Sequence, residues 1–128
     1  MKRLLYLICA MLLLVSGCGG RGTQDWGSFT PDKAYSHDGT LYAVQGTRES
    51  GGVTYAEVSI CSAENDKVLC SFRPARARDF WGVCWESGTH NLWIQSGDTG
   101  TVCYTYKDGG WEPDPSAVRP EDIVSKYD

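Results

Sequence analysis

The only histidines of this 128-residue sequence, His37 and His90, are its candidates for a general base. Both lie in segments rich in turn-forming residues, where an imidazole is commonly only solvated. A hydrolase also needs a nucleophile and an orienting group, and the sequence contains no Gly-x-Ser-x-Gly, His-Glu-x-x-His or phosphate-binding glycine motif. Asp98 and Asp108 flank one predicted hairpin, but turn aspartates bind the backbone far more often than they act in acid–base catalysis. We therefore expect a protein that is not an enzyme and needs no cofactor.

Metal ligation can be judged from the spacing of the cysteines and aspartates. Four cysteines follow one another with gaps of nine, 14 and 19 residues: Cys61, Cys70, Cys84 and Cys103. This spacing lacks the Cys-x-x-Cys pair of a zinc knuckle. Asp98, Asp108 and Asp114 lack the dense alternation of a calcium loop. We expect no metal site.

Large aromatic side chains are the one surplus in the sequence. Trp81, Trp85, Trp93 and Tyr104 lie on neighbouring predicted strands, so several of them are expected to align on one face of a sheet. Two interpretations stay open. The rings fill the core of a small domain, or they form an exposed face that stacks on sugar rings or docks a partner protein. Trp26, near the tether, is expected to be a latch onto the domain rather than part of a site.

The amino terminus carries the most specific pattern. Lys2 and Arg3 precede an apolar run of 12 residues, positions 4–15, which is too short to span a bilayer of about 30 Å and is typical of a signal peptide. The run ends in Val15-Ser16-Gly17-Cys18, an aliphatic residue, two small residues and a cysteine. This tetrapeptide resembles the lipobox of bacterial lipoproteins. The alternative is a plain secretory peptide with an incidental cysteine.

The lipobox resemblance implies three segments. Residues 1–17 would be a signal peptide, removed so that Cys18 becomes the first residue and carries acyl chains that anchor it to a membrane. Residues 18–33, rich in glycine at the start, would form a flexible tether. Residues 34–128 would form a small β domain. The residue after Cys18 is Gly19 rather than aspartate, so nothing resembles a signal for retention in the inner membrane.

Beyond the tether, apolar residues alternate with a period near two, and turn residues recur every eight to twelve positions. This pattern predicts an all-β fold, an antiparallel meander of about six to seven strands. The strands are predicted at residues 41–45, 53–62, 67–72, 80–85, 92–96 and 101–106, with a short seventh at Trp111. Pro120, Glu121 and Asp122 favour the first turn of a short C-terminal helix that caps an open end of the sheet.

A weak internal repeat relates two turn-and-strand segments. Residues 36–44 align with residues 86–94 at an offset of 50. Both segments resemble the strand-opening turns of β-propeller blades, although His37 replaces the usual proline and the second copy lacks the aspartate. Because two blades cannot close a ring, the resemblance implies a solitary blade-like sheet, or a meander curled into a small sandwich or barrel.

Charge limits the partners. The formal net charge of the chain is −4, and loss of Lys2 and Arg3 with the signal peptide would make it −6. Such a surface repels nucleic acid and anionic lipid headgroups. Arg73, Arg76 and Arg78 are followed by Asp79, and we interpret them as a solvated loop.

The cysteines of an exported protein could form disulfides, and the predicted register tests this. Cys84 and Cys103 would be separated by a strand, about 9–10 Å apart, too far for a disulfide. For Cys61 and Cys70 two alternatives stay open. A two-residue loop sets them opposite each other. A three-residue loop with a left-handed Asp66 sets Cys61 opposite Leu69, turns Cys70 to the other face, and is favoured.

Together these patterns predict a lipoprotein of the bacterial cell envelope, outside the cytoplasm, anchored through Cys18. Its β domain would be a non-enzymatic module that binds an envelope protein or glycan. The alternatives are an inhibitor of an exogenous hydrolase such as lysozyme, or a carbohydrate-binding module that uses Trp81, Trp85, Trp93 and Tyr104. The membrane leaflet and the oligomeric state stay open.

Overall fold

In the computed structural model, which describes residues 24–125, the chain is built almost entirely of β-strands. The strands are β1 (Ala34–Tyr35), β2 (Leu41–Ser50), β3 (Val53–Ser62), β4 (Val68–Arg76), β5 (Phe80–Trp85), β6 (Leu92–Ser96), β7 (Gly100–Lys107) and β8 (Gly110–Asp114), with a short 3-10 helix at Ala77–Asp79. The predicted all-β class is therefore confirmed. The bounds of β3, β5 and β6 agree with the alternation in the sequence.

The strands form two antiparallel sheets of four strands each, in chain order. We call β1 to β4 sheet 1 and β5 to β8 sheet 2; neither closes into a barrel. The predicted count of six to seven strands is not confirmed, since residues 24–125 contain eight strands, and these are divided between two sheets and do not form a single blade-like sheet. The strand that the sequence did not predict, β1, has only two residues, Ala34 and Tyr35, which pair with Ala43 and Tyr42. Two residues are too few to show an alternating pattern.

Strand β4 extends to Arg76, beyond the predicted residues 67–72. Two bulges in its pairing with β3 interrupt the alternating pattern by which the strand was recognised. Arg73 and Pro74 together oppose Glu57, and Leu69 is left unpaired between Val68 and Cys70. The strand forms an edge of sheet 1, where a proline is tolerated. Arg73 and Arg76 therefore lie in a strand and not in a solvated loop. The Arg76 guanidinium pairs with the Asp79 carboxylate at 3.0 Å.

The loop before β4 separates Cys61 from Cys70. Asp66 has a φ of 61°, the left-handed conformation that was expected. The bulge at Leu69 sets Cys61 opposite Val68 and Cys70 opposite Ile60, so the predicted partner of Cys61 is wrong by one residue. Because Ile60 and Cys61 are neighbours in one strand, the two cysteines lie on opposite faces, as favoured from the sequence.

The two sheets share one hydrophobic core. Sheet 1 contributes Ala34, Leu41, Ala43, Val58 and Ile60, and sheet 2 contributes Val83, Trp85, Leu92, Ile94 and Trp111. The indole Nε1 of Trp85 donates to the carbonyl oxygen of Ala34 at 2.9 Å. This hydrogen bond satisfies a buried donor and links the two sheets.

The opposite face of sheet 2 is covered by segments from both ends of the described chain. Cys84, Trp93 and Cys103 form a second cluster with Ile123, and Phe29 and Ala117 pack against it. Thr30 and Val83 exchange two backbone hydrogen bonds, of 3.0 and 2.9 Å, along the edge of β5. The predicted tether therefore differs from the structure, since part of residues 24–33 packs on the sheets.

The predicted C-terminal helix is not found over residues 120–125, which form a turn. The Ile123 amide donates to the Pro120 carbonyl at 3.1 Å, whereas the Val124 amide donates to the Gly27 carbonyl at 2.8 Å. A continuing helix would need the Val124 amide for a carbonyl four residues earlier. The contact with Gly27 thus prevails over the local helical pattern.

The predicted signal peptide and Cys18 lie outside the described residues. Within residues 24–125 no helix is both long enough and apolar enough to cross a bilayer.

Candidate functional site

The two segments of the internal repeat meet at one end of the molecule. Residues 36–40 connect β1 to β2, and residues 86–91 connect β5 to β6, so each turn joins the first two strands of its sheet. The imidazole Nε2 of His90 lies 2.8 Å from the Asp38 carboxylate and bridges the turns. The repeat thus occupies equivalent positions in the two sheets, while its resemblance to propeller blades stays a prediction.

Asp38 is the centre of the polar network at this end. One carboxylate oxygen accepts from the Ser36 hydroxyl at 2.8 Å, the Thr40 amide at 3.0 Å and the Thr40 hydroxyl at 2.8 Å. The other oxygen faces His90. Partial burial raises the pKa of Asp38, but the hydrogen bonds from His90, Thr40 and Ser36 outweigh this effect and hold it well below its ordinary value. Asp38 is therefore an ionised group that organises both turns.

This arrangement differs from a catalytic triad. In a triad the carboxylate and the nucleophile bind opposite nitrogens of one imidazole. Here the same nitrogen of His90 faces both Asp38 and the Thr40 hydroxyl, the latter at 3.5 Å. The Thr40 hydroxyl also donates to Asp38 and is not activated by a base. The two turns are therefore joined by hydrogen bonds that do not follow the triad pattern.

His37 is held separately. Its Nε2 lies 3.2 Å from the carbonyl oxygen of Trp85, to which it donates. The Trp26 ring packs on the His37 imidazole with centroids 4.3 Å apart. This contact agrees with the expected latch, since Trp26 lies at the start of the described chain.

The His90 side of the site is flanked by two further rings. The Tyr106 ring contacts His90 edge-on at 5.4 Å, and its centroid lies 4.7 Å from that of Trp111. The Trp111 indole donates to the His90 carbonyl at 2.7 Å, which holds the second turn against β8. Trp26 and Tyr106 remain 43% and 40% exposed. An exposed aromatic ring therefore flanks each histidine.

A depression of about 550 Å³ opens between the two turns, lined by His37, Asp38, Gly88, Thr89 and His90. We call these residues, together with the flanking Trp26 and Tyr106, the turn surface. The volume lies within the range of pockets that take small ligands. Gly88 has a φ of 75°, and a Cβ there would meet no atom within 4 Å, so the floor stays open at this point.

The four aromatic residues singled out from the sequence do not form one surface. Trp85 and Trp93 are each 2% exposed. Trp85 is paired with Leu92 and Trp93 with Cys84, so the two rings lie on opposite faces of sheet 2. The predicted alignment on one face is therefore wrong for this pair.

The other two members lie elsewhere. The Tyr104 ring stacks on Phe72 with centroids 4.0 Å apart and shares the core face with Trp85. Trp81 is a bulge residue of β5, and a Cβ at Gly97 would lie 3.6 Å from its indole ring. None of the four lines the depression between the turns.

Sequence reasoning did not group Trp26 or Tyr106 with the histidines, and it treated both histidines as solvated. The signal that could have found this site is the repeat itself, because its two turns contain His37, Asp38 and His90. Had the repeated turns been expected to lie side by side, these polar residues would have been grouped. Tyr106 has no such signal, since only strand pairing brings it beside His90.

Among residues 24–125, no group of three or more His, Cys, Asp or Glu side chains is placed to hold a metal ion.

Comparison with known proteins gives no match for this chain among protein families, curated proteins or solved structures.

Proposed function

We propose that this chain is a bacterial envelope lipoprotein, anchored through Cys18, whose β domain binds another envelope component at the turn surface. The observation that carries the proposal is the turn surface itself: a depression between two fixed turns, flanked by the exposed rings of Trp26 and Tyr106. Exposed aromatic rings around a small set of polar groups are typical of recognition sites.

The chain length between the anchor and the domain supports an envelope partner. The Gln24 side-chain amide donates to the Tyr35 carbonyl and accepts from the Tyr35 amide, both at 2.8 Å, so the packed part of the chain includes Gln24. Six residue steps separate Cys18 from Gln24, which span at most about 22 Å. Trp26 follows two residues later. An anchored domain would therefore hold the turn surface close to the membrane.

A binding role also agrees with the rigidity of the surface. The turns are tied to each other by the Asp38–His90 contact, and the second turn is tied to β8 through Trp111. A surface that is ordered before binding loses little conformational entropy when a ligand arrives. No rearrangement of the two sheets is required.

Lipid attachment is tested by metabolic labelling with a fatty-acid analogue in a bacterial host that expresses the full chain. Cys18→Ser should lose the label and leave the membrane fraction, because the acyl acceptor is gone. Cys70→Ser is the matched control and should keep both label and location. A label that persists on Cys18→Ser would contradict the lipoprotein proposal.

The binding role is tested by sedimentation of the lipidated protein, in detergent, with purified envelope fragments. Trp26→Ala combined with Tyr106→Ala should abolish sedimentation, and Tyr55→Ala, an aromatic substitution in β3, should leave it unchanged. Equal sedimentation of all three proteins would show that the turn surface is not the binding site.

A further inference from the structure

We infer that the turn surface is a carbohydrate-binding site, which takes a neutral pyranose oligosaccharide across the depression between Trp26 and Tyr106. The ligand class follows from the residues of the site. Only its source, a sugar close to the membrane, rests on the function proposed above.

The positions of the exposed rings support this ligand class. Within residues 24–125 the large hydrophobic side chains that remain exposed are Trp26, Tyr106 and four aliphatic residues, Val68, Leu69, Val118 and Val124. Both aromatic members flank the same depression, each in contact with one of its histidines. A pyranose has an apolar C–H face that packs on an aromatic ring, while its hydroxyl groups point outward to polar atoms.

Polar atoms suited to hydroxyl groups surround the depression. Within residues 24–125, no hydrogen-bond partner is found for the indole Nε1 of Trp26, the Nδ1 atoms of His37 and His90, or the hydroxyl of Tyr106. These groups include both donors and acceptors, and sugar hydroxyls both donate and accept. Each of the four residues therefore offers a ring for packing and a polar atom for orientation.

The charge of the site favours a neutral ligand. The residues that line the depression include one carboxylate, Asp38, and no lysine or arginine. Asp38 already has four hydrogen-bond contacts, so its role is to hold His90 and the first turn and not to bind a cation. The chain as a whole has a net charge of −4. Phosphate groups and other anions would be repelled at this surface.

Binding is tested with oligosaccharides of N-acetylglucosamine and of glucose at millimolar concentrations. The lipidated full-length protein is kept in a detergent without a sugar headgroup, and binding is measured by saturation-transfer NMR and by tryptophan fluorescence. At least one series should bind. Trp26→Ala and Tyr106→Ala should each weaken binding by about tenfold, as the loss of one aromatic contact does. The melting temperature of each variant shows that it is folded.

Tyr55→Ala is the matched control. Tyr55 pairs with Arg48, seven residues along β2 from Leu41, so it lies about 23 Å from the turn end. Its removal should leave sugar binding unchanged. Failure of both oligosaccharide series to bind, or equal binding by the wild type and by both turn-surface variants, would overturn the inference.

The source of the sugar is tested in the same detergent with two further ligands, the water-soluble headgroup oligosaccharide of a glycolipid and isolated cell-wall glycan strands. Glycerol phosphate, the headgroup of an anionic phospholipid, is the control and should not bind. Binding to either sugar-bearing ligand, lost in Trp26→Ala, supports the inference and identifies the source. Equal binding of glycerol phosphate would contradict it. Fatty-acid labelling at Cys18 with no sugar binding would leave the anchor in place and reject the carbohydrate site alone.

Discussion

At the scale of the residue, the Asp38 carboxylate joins the two repeat turns and is expected to make stability depend on pH. Folding lowers the pKa of Asp38 below its ordinary value of 3.8. Its contribution is therefore complete above that value and is lost as the pH falls through the lower pKa of the folded state. Asp38→Asn should melt below the wild type near neutral pH, and the difference should shrink below about pH 4. Thermal melts of both proteins, from neutral pH to below about pH 4, measure this difference in melting temperature. A difference that stays constant with pH would show that the charge of Asp38 does not cause it.

Trp85 tests the shared core at the same scale. Its side chain is 2% exposed, and its indole nitrogen donates to Ala34 across the two sheets. Trp85→Ala should lower the free energy of unfolding by about 3–5 kcal/mol, as truncation of a large buried aromatic ring does. Urea unfolding measures this loss. Val118→Ala trims a side chain that is 86% exposed and should change stability by no more than about 0.5 kcal/mol. Similar losses in the two variants would contradict the assigned core.

At the scale of the element, the contact between β5 and the segment before β1 depends on one glycine. A Cβ on Gly82 would lie 2.6 Å from the carbonyl carbon and oxygen of Thr30. Gly82→Ala should therefore displace Thr30 and destabilise the protein by about 1–3 kcal/mol. The Val83 amide, which donates to Thr30, should exchange faster with solvent deuterium.

Gly46→Ala is the control for this prediction. Gly46 lies in β2, is exposed, and has no atom within 4 Å of an added Cβ. Its replacement should leave stability unchanged or slightly increase it, because the unfolded chain loses conformational freedom. If the Val83 amide exchanged as slowly in Gly82→Ala as in the wild type, the position of Thr30 would not depend on the close approach at Gly82.

At the scale of the whole molecule, strand order determines the state of the thiols. Cys61, Cys70, Cys84 and Cys103 are all unpaired. Cys84 and Cys103 both pair with Trp93, from opposite sides, which confirms that a strand separates them. Burial raises the pKa of the Cys84 thiol to about 11, so it is protonated and unreactive in the folded state.

Alkylation followed by mass spectrometry checks this expectation. The unfolded, unreduced protein should take up label at all four of these cysteines, whereas the folded protein should react slowly at Cys84. A crosslink between Cys84 and Cys103 would contradict the strand order of sheet 2.

Local alternation was sufficient to predict most of the strands. Neighbouring residues of a strand point to opposite faces, so the pattern at residues 53–62 and 80–85 shows directly where β3 and β5 lie. The favoured three-residue loop also predicted the left-handed Asp66, whereas burial of Trp85 was one of two interpretations that the sequence left open. Alternation does not show which strands pair, and the division into two sheets depends on contacts between distant residues such as Trp85 and Ala34.

Register and tertiary contacts decided what the pattern could not. The bulge at Leu69 changed the partner of Cys61. Trp93 pairs with Cys84, so its side chain lies on the opposite face of sheet 2 from that of Trp85. The Gly27 carbonyl took the Val124 amide that a C-terminal helix would have used. The first two cases depend on the register within single hairpins, and in the third a long-range contact replaced a local helical preference whose free energy is small.

The candidate site shows the same division between local pattern and tertiary contact. The sequence by itself showed the two repeated turns, and these turns contain His37, Asp38 and His90. Trp26 and Tyr106 are 80 residues apart and share no local pattern. Only the packing of residues 24–30 against sheet 2 and the pairing of β6 with β7 bring their rings to the two histidines. Alternation within a strand shows on which face of the sheet a residue lies, but not which distant residues lie beside it. The packing of the sheets therefore decides which residues form a surface assembled from such distant segments.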